Sequence, residues 1–246
     1  MTDTAPTFPG ATSVTLLDVY DDAAPDGLRG GSPHLHLAST ECYVVIGGRG
    51  ELHTLDPAGA RETALGKGSV VWFTPGTIHR AVNHGDLEVL VIMGNAGLPE
   101  AGDAVMTFPA DIVADPARYA AAAALPPGPL GARAEAAARR RDLAVEGFLV
   151  LRDAARAGDF GPLQEFHAAA ARLVRERAAD WSGIVERGPA VQAAHSLDIV
   201  RALAAGDAGH LSAAVVSQAP SLVGERGFGM CGRLRAYDVS DAPATR

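Results

Sequence analysis

Apolar and polar positions run in short alternating stretches over the first hundred residues, then shift to a spacing of three and four. From Ser13 to about Met106 the stretches are "SVTLLDVY", "ECYVVIGG", "GELHTLD", "SVVWFTPG" and "LEVLVIMG", divided by glycine and proline. Runs of this length with turn residues between them predict an all-β sandwich or closed barrel. Gly47, Gly48, Gly50, Gly66, Gly68, Gly76, Gly85 and Gly94 fall at or between the runs, where tight turns need backbone freedom. Residues 87–93 are apolar at almost every position, which predicts a strand covered on both faces, by the barrel core and by a helix or partner subunit.

After "FPADIVADPARY" the helical period takes over. From Pro162 to about Arg187, Leu163, Phe166, Ala170, Leu173, Val174, Trp181, Ile184 and Val185 form one stripe, with Glu165, Arg172, Arg175, Glu176 and Asp180 largely off it. An earlier long helix ends at Gly158 and a later one at Gly206. The segment "LPPGPLG" at 125–131 marks a boundary, and "RGFGMCGRLRAYDV" reads as extended chain. The expected organisation is a flexible N-terminus over 1–12, a β-barrel over 13–110, an α-helical region over 111–225, and a tail over 226–246 that returns to the barrel edge.

Composition narrows the class. With 246 residues, 48% of them hydrophobic, 20% charged and a mean hydropathy of +0.09, the chain is long and apolar enough to bury a core. No run approaches the roughly 20 apolar residues that span a bilayer, and "MTDTAPTFPGATS" lacks the basic start and apolar centre of a secretory signal. A cytoplasmic protein with no membrane partner is expected. Cys42 and Cys231 form no CxxC pair, which favours two buried thiols over a disulfide or a zinc ribbon. The net charge of −8 falls wholly in residues 1–110, which hold 5 Lys and Arg against 13 Asp and Glu. Neither half offers the positive excess on which nucleic-acid binding rests, so no nucleic-acid partner is expected.

The chemistry concentrates in "SPHLHLASTECYVV". On a strand His34 and His36 project to one face, because side chains alternate with period two. Glu41 has the wrong parity for the same strand, but a hairpin-like reversal in "LAST" would let a new strand begin near it. Tyr43 and Val45 then follow Glu41 inward, and Cys42, Val44 and Ile46 face the other way. "GKGSVVWFTPGTIHRAVNHGD" supplies a further strand, a Pro75-Gly76 turn and His79, placed to reach back across a barrel mouth. Three imidazoles and one carboxylate suit a divalent transition metal: Fe, Mn, Ni, Cu, Co or Zn.

These two stretches resemble the motifs of the cupins, a family of small antiparallel β-barrels also described as a double-stranded β-helix or jelly roll. "GLRGGSPHLHLASTECYVVIGG" matches the first motif, with His34, His36 and Glu41 at its metal-ligand positions and Gly48 at its closing glycine. Gly68, Gly76, His79 and Asn83 match the second, with Thr74 where proline is usual and Pro75 beside it. The resemblance covers roughly residues 13–106. It implies a mainly β fold, a cupin barrel followed by an α-helical C-terminal region, and one divalent metal on His34, His36, Glu41 and His79. Cupins similar to this one include dioxygenases, isomerases, lyases and small-molecule sensors, so the fold alone assigns no substrate. The expected function is dioxygenase-type oxidation of a small molecule by a homodimer, with Glu41 as a base and Tyr43 at the substrate; Lewis-acid isomerase or lyase chemistry and non-catalytic ligand binding are the alternatives.

Other residues carry weaker signals. Trp72 is a pocket candidate, and His53 is ambiguous. His84 reads as a surface turn residue. Arg80 lies next to a ligand but alternates away from it, as does Cys42. His167, His195 and His210 lack metal-ligand spacing, and Arg139, Arg140 and Arg141, flanked by Glu135, Asp142 and Glu146, read as a solvated helix face.

Overall fold

A computed structural model of the protein describes residues 7–220, 222–239 and 244–245. Its strands in chain order are β1 (Ser13–Val19), β2 (His34–His36), β3 (Glu41–Asp56), β4 (Gly59–Gly66), β5 (Val70–Phe73), β6 (Ile78–Met93) and β7 (Ala104–Met106). The helices α1 (Ala110–Val113), α2 (Pro116–Ala123), α3 (Leu130–Arg156), α4 (Gly161–Val185) and α5 (Val191–Ala204) follow, with short strands β8 (Val216–Ser217), β9 (Gly227–Phe228), β10 (Gly232–Ala236) and β11 (Ala244–Thr245) after them. The architecture is an antiparallel cupin-type barrel followed by a helical region.

Two long strands organise the barrel. β3 and β6, 16 residues each, pair with each other along both halves, and β3 also takes β5 on its first half and β4 on its second. Such strands turn the corner between two sheet faces at bulges. Here the register shifts between Val45 and Gly50, so Gly47, Gly48 and Gly50 bend one continuous strand where the sequence suggests a turn between two. Gly48 has φ +66°, and a Cβ there would lie 2.0 Å from the Asp86 carbonyl oxygen. β6 pairs with β1 and β2, β2 with β7, and β10 adds to the free edge of β1. The expected hairpin in "LAST" does not form. β2 pairs with β6 and β7, and the chain crosses over before β3 begins at Glu41. Of the N-terminus expected to be flexible over 1–12, residues 1–6 lie outside the described residues, and Pro9–Ala11 forms a 3₁₀ turn with Ala11 buried.

Two cores result. Leu17, Tyr43, Val45, Leu52, Phe73, Leu87, Val89 and Val91 fill the barrel. A second core joins the barrel's outer face to the helices, packing Leu35, Leu55, Ile78 and Val105 against Phe148, Leu151, Leu163, Phe166, Val174 and Trp181. Fully burying one such side chain gains about 1.5–3 kcal/mol, and the α4 stripe is the helical side of this layer. α3 comes closest at Gly147, where a Cβ would lie 2.1 Å from the Thr107 carbonyl oxygen, and the Thr107 hydroxyl donates to Ala144 O at 2.8 Å. Arg140 and Arg141 do not face solvent as expected. Arg141, 3% exposed, donates to the carbonyls of Asp22 and Ala23, and Arg140 to that of Gly229, because α3 lies over chain whose carbonyls have no strand partner. α5 buries none of its side chains, and no helix among the described residues is long and apolar enough to cross a membrane.

Candidate metal centre

β2 presents His34 and His36 on one face, and His79 stands directly opposite His34 on the neighbouring strand. Glu41, the first residue of β3, completes a group whose ligand atoms all lie within 4.8 Å of one another. All four side chains are buried. Glu41 Oε2 is 3.2 Å from His36 Nε2 and 3.1 Å from His79 Nε2.

The backbone and one carboxylate fix which nitrogen of each ring faces the centre. Nδ1 of His34 donates to Ser32 O at 2.9 Å, Nδ1 of His79 to Thr77 O at 3.2 Å, and Nδ1 of His36 to Asp103 Oδ1 at 2.7 Å. Each Nε2 therefore faces the centre. Glu41 Oε2 and the Nε2 atoms of His36 and His79 are buried and meet only one another at the centre. Buried donor atoms are costly unless satisfied, and a divalent ion would satisfy this converging set together. The four residues fit a divalent ion, and could hold one.

Asp103 has no counterpart in the sequence reading. It is fully buried just ahead of β7 and also accepts the backbone N–H of Ser39 at 2.9 Å. Burial works to lower the His36 pKa, but the hydrogen bonds to Asp103 and Glu41 outweigh it and carry the value up to about 9. Burial lowers His34 well below the usual imidazole range, with His79 and His36 adding to the effect. For Glu41 burial acts upward, yet the neighbouring His79 and His36 hold its carboxyl far below the ordinary range. The proton that Asp103 and Glu41 favour on His36 is the one a metal would displace.

A cavity of about 430 Å³ is lined by Leu52, Thr54, Asp56, Arg61, Thr63, Val70 to Thr74 and Thr77, residues next to the donors though none of the four lines it. Thr54 stands opposite His79, and Phe73, which lines the cavity, has its ring 4.2 Å from the His79 ring. A second, apolar groove of about 520 Å³ between α1, α3 and α4 touches none of the four donors.

The remaining candidates sort by strand face. Tyr43 points inward as expected and is fully buried, its hydroxyl 3.6 Å from the Cys231 thiol in the barrel core, and it does not line the cavity. Trp72, 70% exposed, stands opposite Cys42 on the outer face and touches only the cavity rim. Cys42 faces away from the donors as alternation predicts, but it is half-buried rather than buried. Arg80 is fully buried outside the barrel, donating to Asp26, Gly31 O and Leu28 O. His53 and His84 both contact Glu51, at 3.0 and 3.4 Å; Glu51, His53 and Glu62 also bring ligand atoms within 4.8 Å, but Arg156 already holds Glu62 at 2.9 Å. His167 is tied down on α4, its Nε2 donating to Gly76 O at 3.0 Å and so fixing the turn that leads to His79. Asn83 accepts the N–H groups of Gly85 and Leu87 and donates to Val19 O, holding the bend in β6.

The barrel is of the cupin, or jelly-roll, type. Residues 23–93 match the family model described as the cupin domain, so this chain carries a cupin barrel. A search of the curated proteins found no match. Among solved structures, a conserved protein with a double-stranded β-helix domain from Klebsiella pneumoniae is 19% identical, with 37% of this chain and 67% of that chain covered and a TM-score of 0.29. Pac13, a nucleoside dehydratase from Streptomyces, is 18% identical over 38% of this chain and 66% of its own, with a TM-score of 0.29. The capsular polysaccharide assembling protein CapF from Staphylococcus aureus is 22% identical over 33% of this chain and 23% of its own, with a TM-score of 0.25.

Proposed function

We propose that the protein is a metal-dependent enzyme acting on a small organic molecule by oxygen-dependent oxidation, with His34, His36, Glu41 and His79 as metal ligands. The observation that carries this reading is the chemistry of the cavity beside the donors. Its only titratable side chains are Asp56 and Arg61, which are paired with each other. Isomerase and lyase reactions move protons between carbons or leaving groups and need a placed acid and base. Beyond that pair the cavity lining supplies neither. Oxidation asks less of the protein. A redox-capable ion bound to the four residues would supply an open coordination position and a path for electrons between substrate and dioxygen.

The chain's own residues then have defined tasks. His36, held by Asp103, and His34 and His79, held by carbonyls, keep their donor atoms in place without rearrangement. Glu41 accepts a substrate proton when a substrate oxygen takes over one of its contacts. Phe73 and the threonine methyls limit water around the reacting group. A homodimer is part of this reading, supported by exposed apolar Ile46, Val70 and Trp72 on the outer face of β3 and β5; sedimentation of the purified protein tests it.

The experiment is oxygen uptake by protein reconstituted in turn with Fe(II), Mn(II), Ni(II), Cu(II) and Co(II), over a panel of small organic acids, phenols and diketones. Uptake coupled to substrate loss, abolished in His79→Ala, supports the reading. Turnover without uptake would replace it with Lewis-acid chemistry, and binding without turnover with a sensor.

A further inference from the structure

We infer that Arg61 binds a carboxylate group of the substrate, at the far end of a row of interior side chains that begins at the metal centre. Residues directly opposite one another on paired strands project to the same face. His34 is opposite His79, His79 is opposite Thr54, and Thr54 is opposite Arg61, across β2, β6, β3 and β4. Neighbouring strands lie about 4.8 Å apart, so the Arg61 backbone stands roughly 10 Å from that of His79 along this row. The 430 Å³ cavity contains the Thr54 and Arg61 end of the row, with the threonine hydroxyls of Thr63 and Thr77 on its walls. A molecule that places an oxygen donor at the centre and extends over Thr54 reaches Arg61 with its other end.

Arg61 is the cavity's one cation, in the half of the chain that holds the whole negative excess. It is therefore the one lining side chain that attracts an anion electrostatically. Its contact to Asp56 uses Nη2 alone, and the Arg61 side chain is 53% exposed, so the pair contributes little stability and leaves the guanidinium available. Asp56 stays in place because its other oxygen accepts the Ala58 N–H at 2.8 Å, which keeps Arg61 over the mouth instead of in solvent. A guanidinium matches a carboxylate with two parallel hydrogen bonds. One guanidinium beside an aspartate balances a monoanion better than a phosphate, whose charge approaches two. The inferred substrate class is therefore a short organic acid with an oxygen donor several carbons from its carboxylate.

This inference rests on the metal centre proposed above, and the two fail separately. Co(II)-loaded protein is titrated calorimetrically with acetate and with malonate, succinate, glutarate and adipate. One dicarboxylate length is expected to bind at least ten times more tightly than acetate, since one end sits at the metal and the other at Arg61. Arg61→Gln is expected to remove that advantage, leaving the best dicarboxylate within twofold of acetate, with acetate affinity and cobalt content unchanged. Protein that takes up no cobalt overturns the metal centre. Protein that loads cobalt but shows no length preference, or keeps it in Arg61→Gln, overturns the role of Arg61.

Discussion

Replacing Asp103 by asparagine probes the least visible part of the centre. The carboxylate accepts from His36 Nδ1 at 2.7 Å and from the Ser39 N–H at 2.9 Å, and it is fully buried. An amide of the same shape can accept on one side only, so one of these donors would meet an N–H. Loss of a partner that orients a metal-bound histidine costs about 10–100-fold in metal affinity, or about 1.4–2.7 kcal/mol. A second effect runs the other way. In the metal-free protein His36 titrates at about 9, so at neutral pH a proton competes for its place. Two pH units below that value the competition weakens apparent affinity by about 100-fold, and affinity should climb about tenfold per unit between pH 7 and 9. Asp103→Asn lowers the His36 pKa and flattens this slope, which partly hides the loss at pH 7. Chelator-competition titrations with Zn(II) at pH 7 and 9 separate the two effects. A variant with wild-type circular dichroism that binds Zn(II) within twofold of wild type at pH 9, with an unchanged slope, would refute the role given to Asp103.

Two further outcomes follow from the same geometry. The raised His36 pKa means that the metal-free fold holds a proton the unfolded chain releases near pH 6.5, so that stability is fully present below pH 6.5 and fades as pH rises toward 9. Melting temperature of the metal-free protein is expected to fall between pH 6.5 and 8.5, and the fall should vanish once metal is bound; a flat profile without metal contradicts the assignment. Gly147→Ala places a methyl 2.1 Å from Thr107 O, and forcing α3 away from the barrel should cost about 1–3 kcal/mol in urea denaturation, with an unchanged midpoint refuting the close approach.

The donors were legible because their chemistry and spacing are local. Period-two alternation alone puts His34 and His36 on one face, and the resemblance of two short motifs added Glu41 and His79. Asp103 was not legible. It sits 67 residues from His36 in the segment "EAGDAVM", where nothing but a single carboxylate ahead of an apolar run hints at burial. β4 escaped for a similar reason. Its residues 61–64 are exposed, so no apolar alternation announces the strand that carries Arg61. The glycines at 47, 48 and 50 were read as turns because a bulge and a turn need the same backbone freedom, and only strand pairing tells them apart. Arg140 and Arg141 are not legible as buried because sequence shows charge but not the backbone carbonyls that α3 brings within their reach.

The most direct measurement of the central claim is X-ray absorption at the metal edge of protein loaded with one equivalent of Co(II) or Zn(II). The account predicts a first shell of nitrogen and oxygen only, with the multiple-scattering signature of three imidazoles, reduced to two in His79→Ala. A sulfur scatterer, fewer than three imidazoles in the wild type, or an ion that His79→Ala leaves unaltered would contradict it.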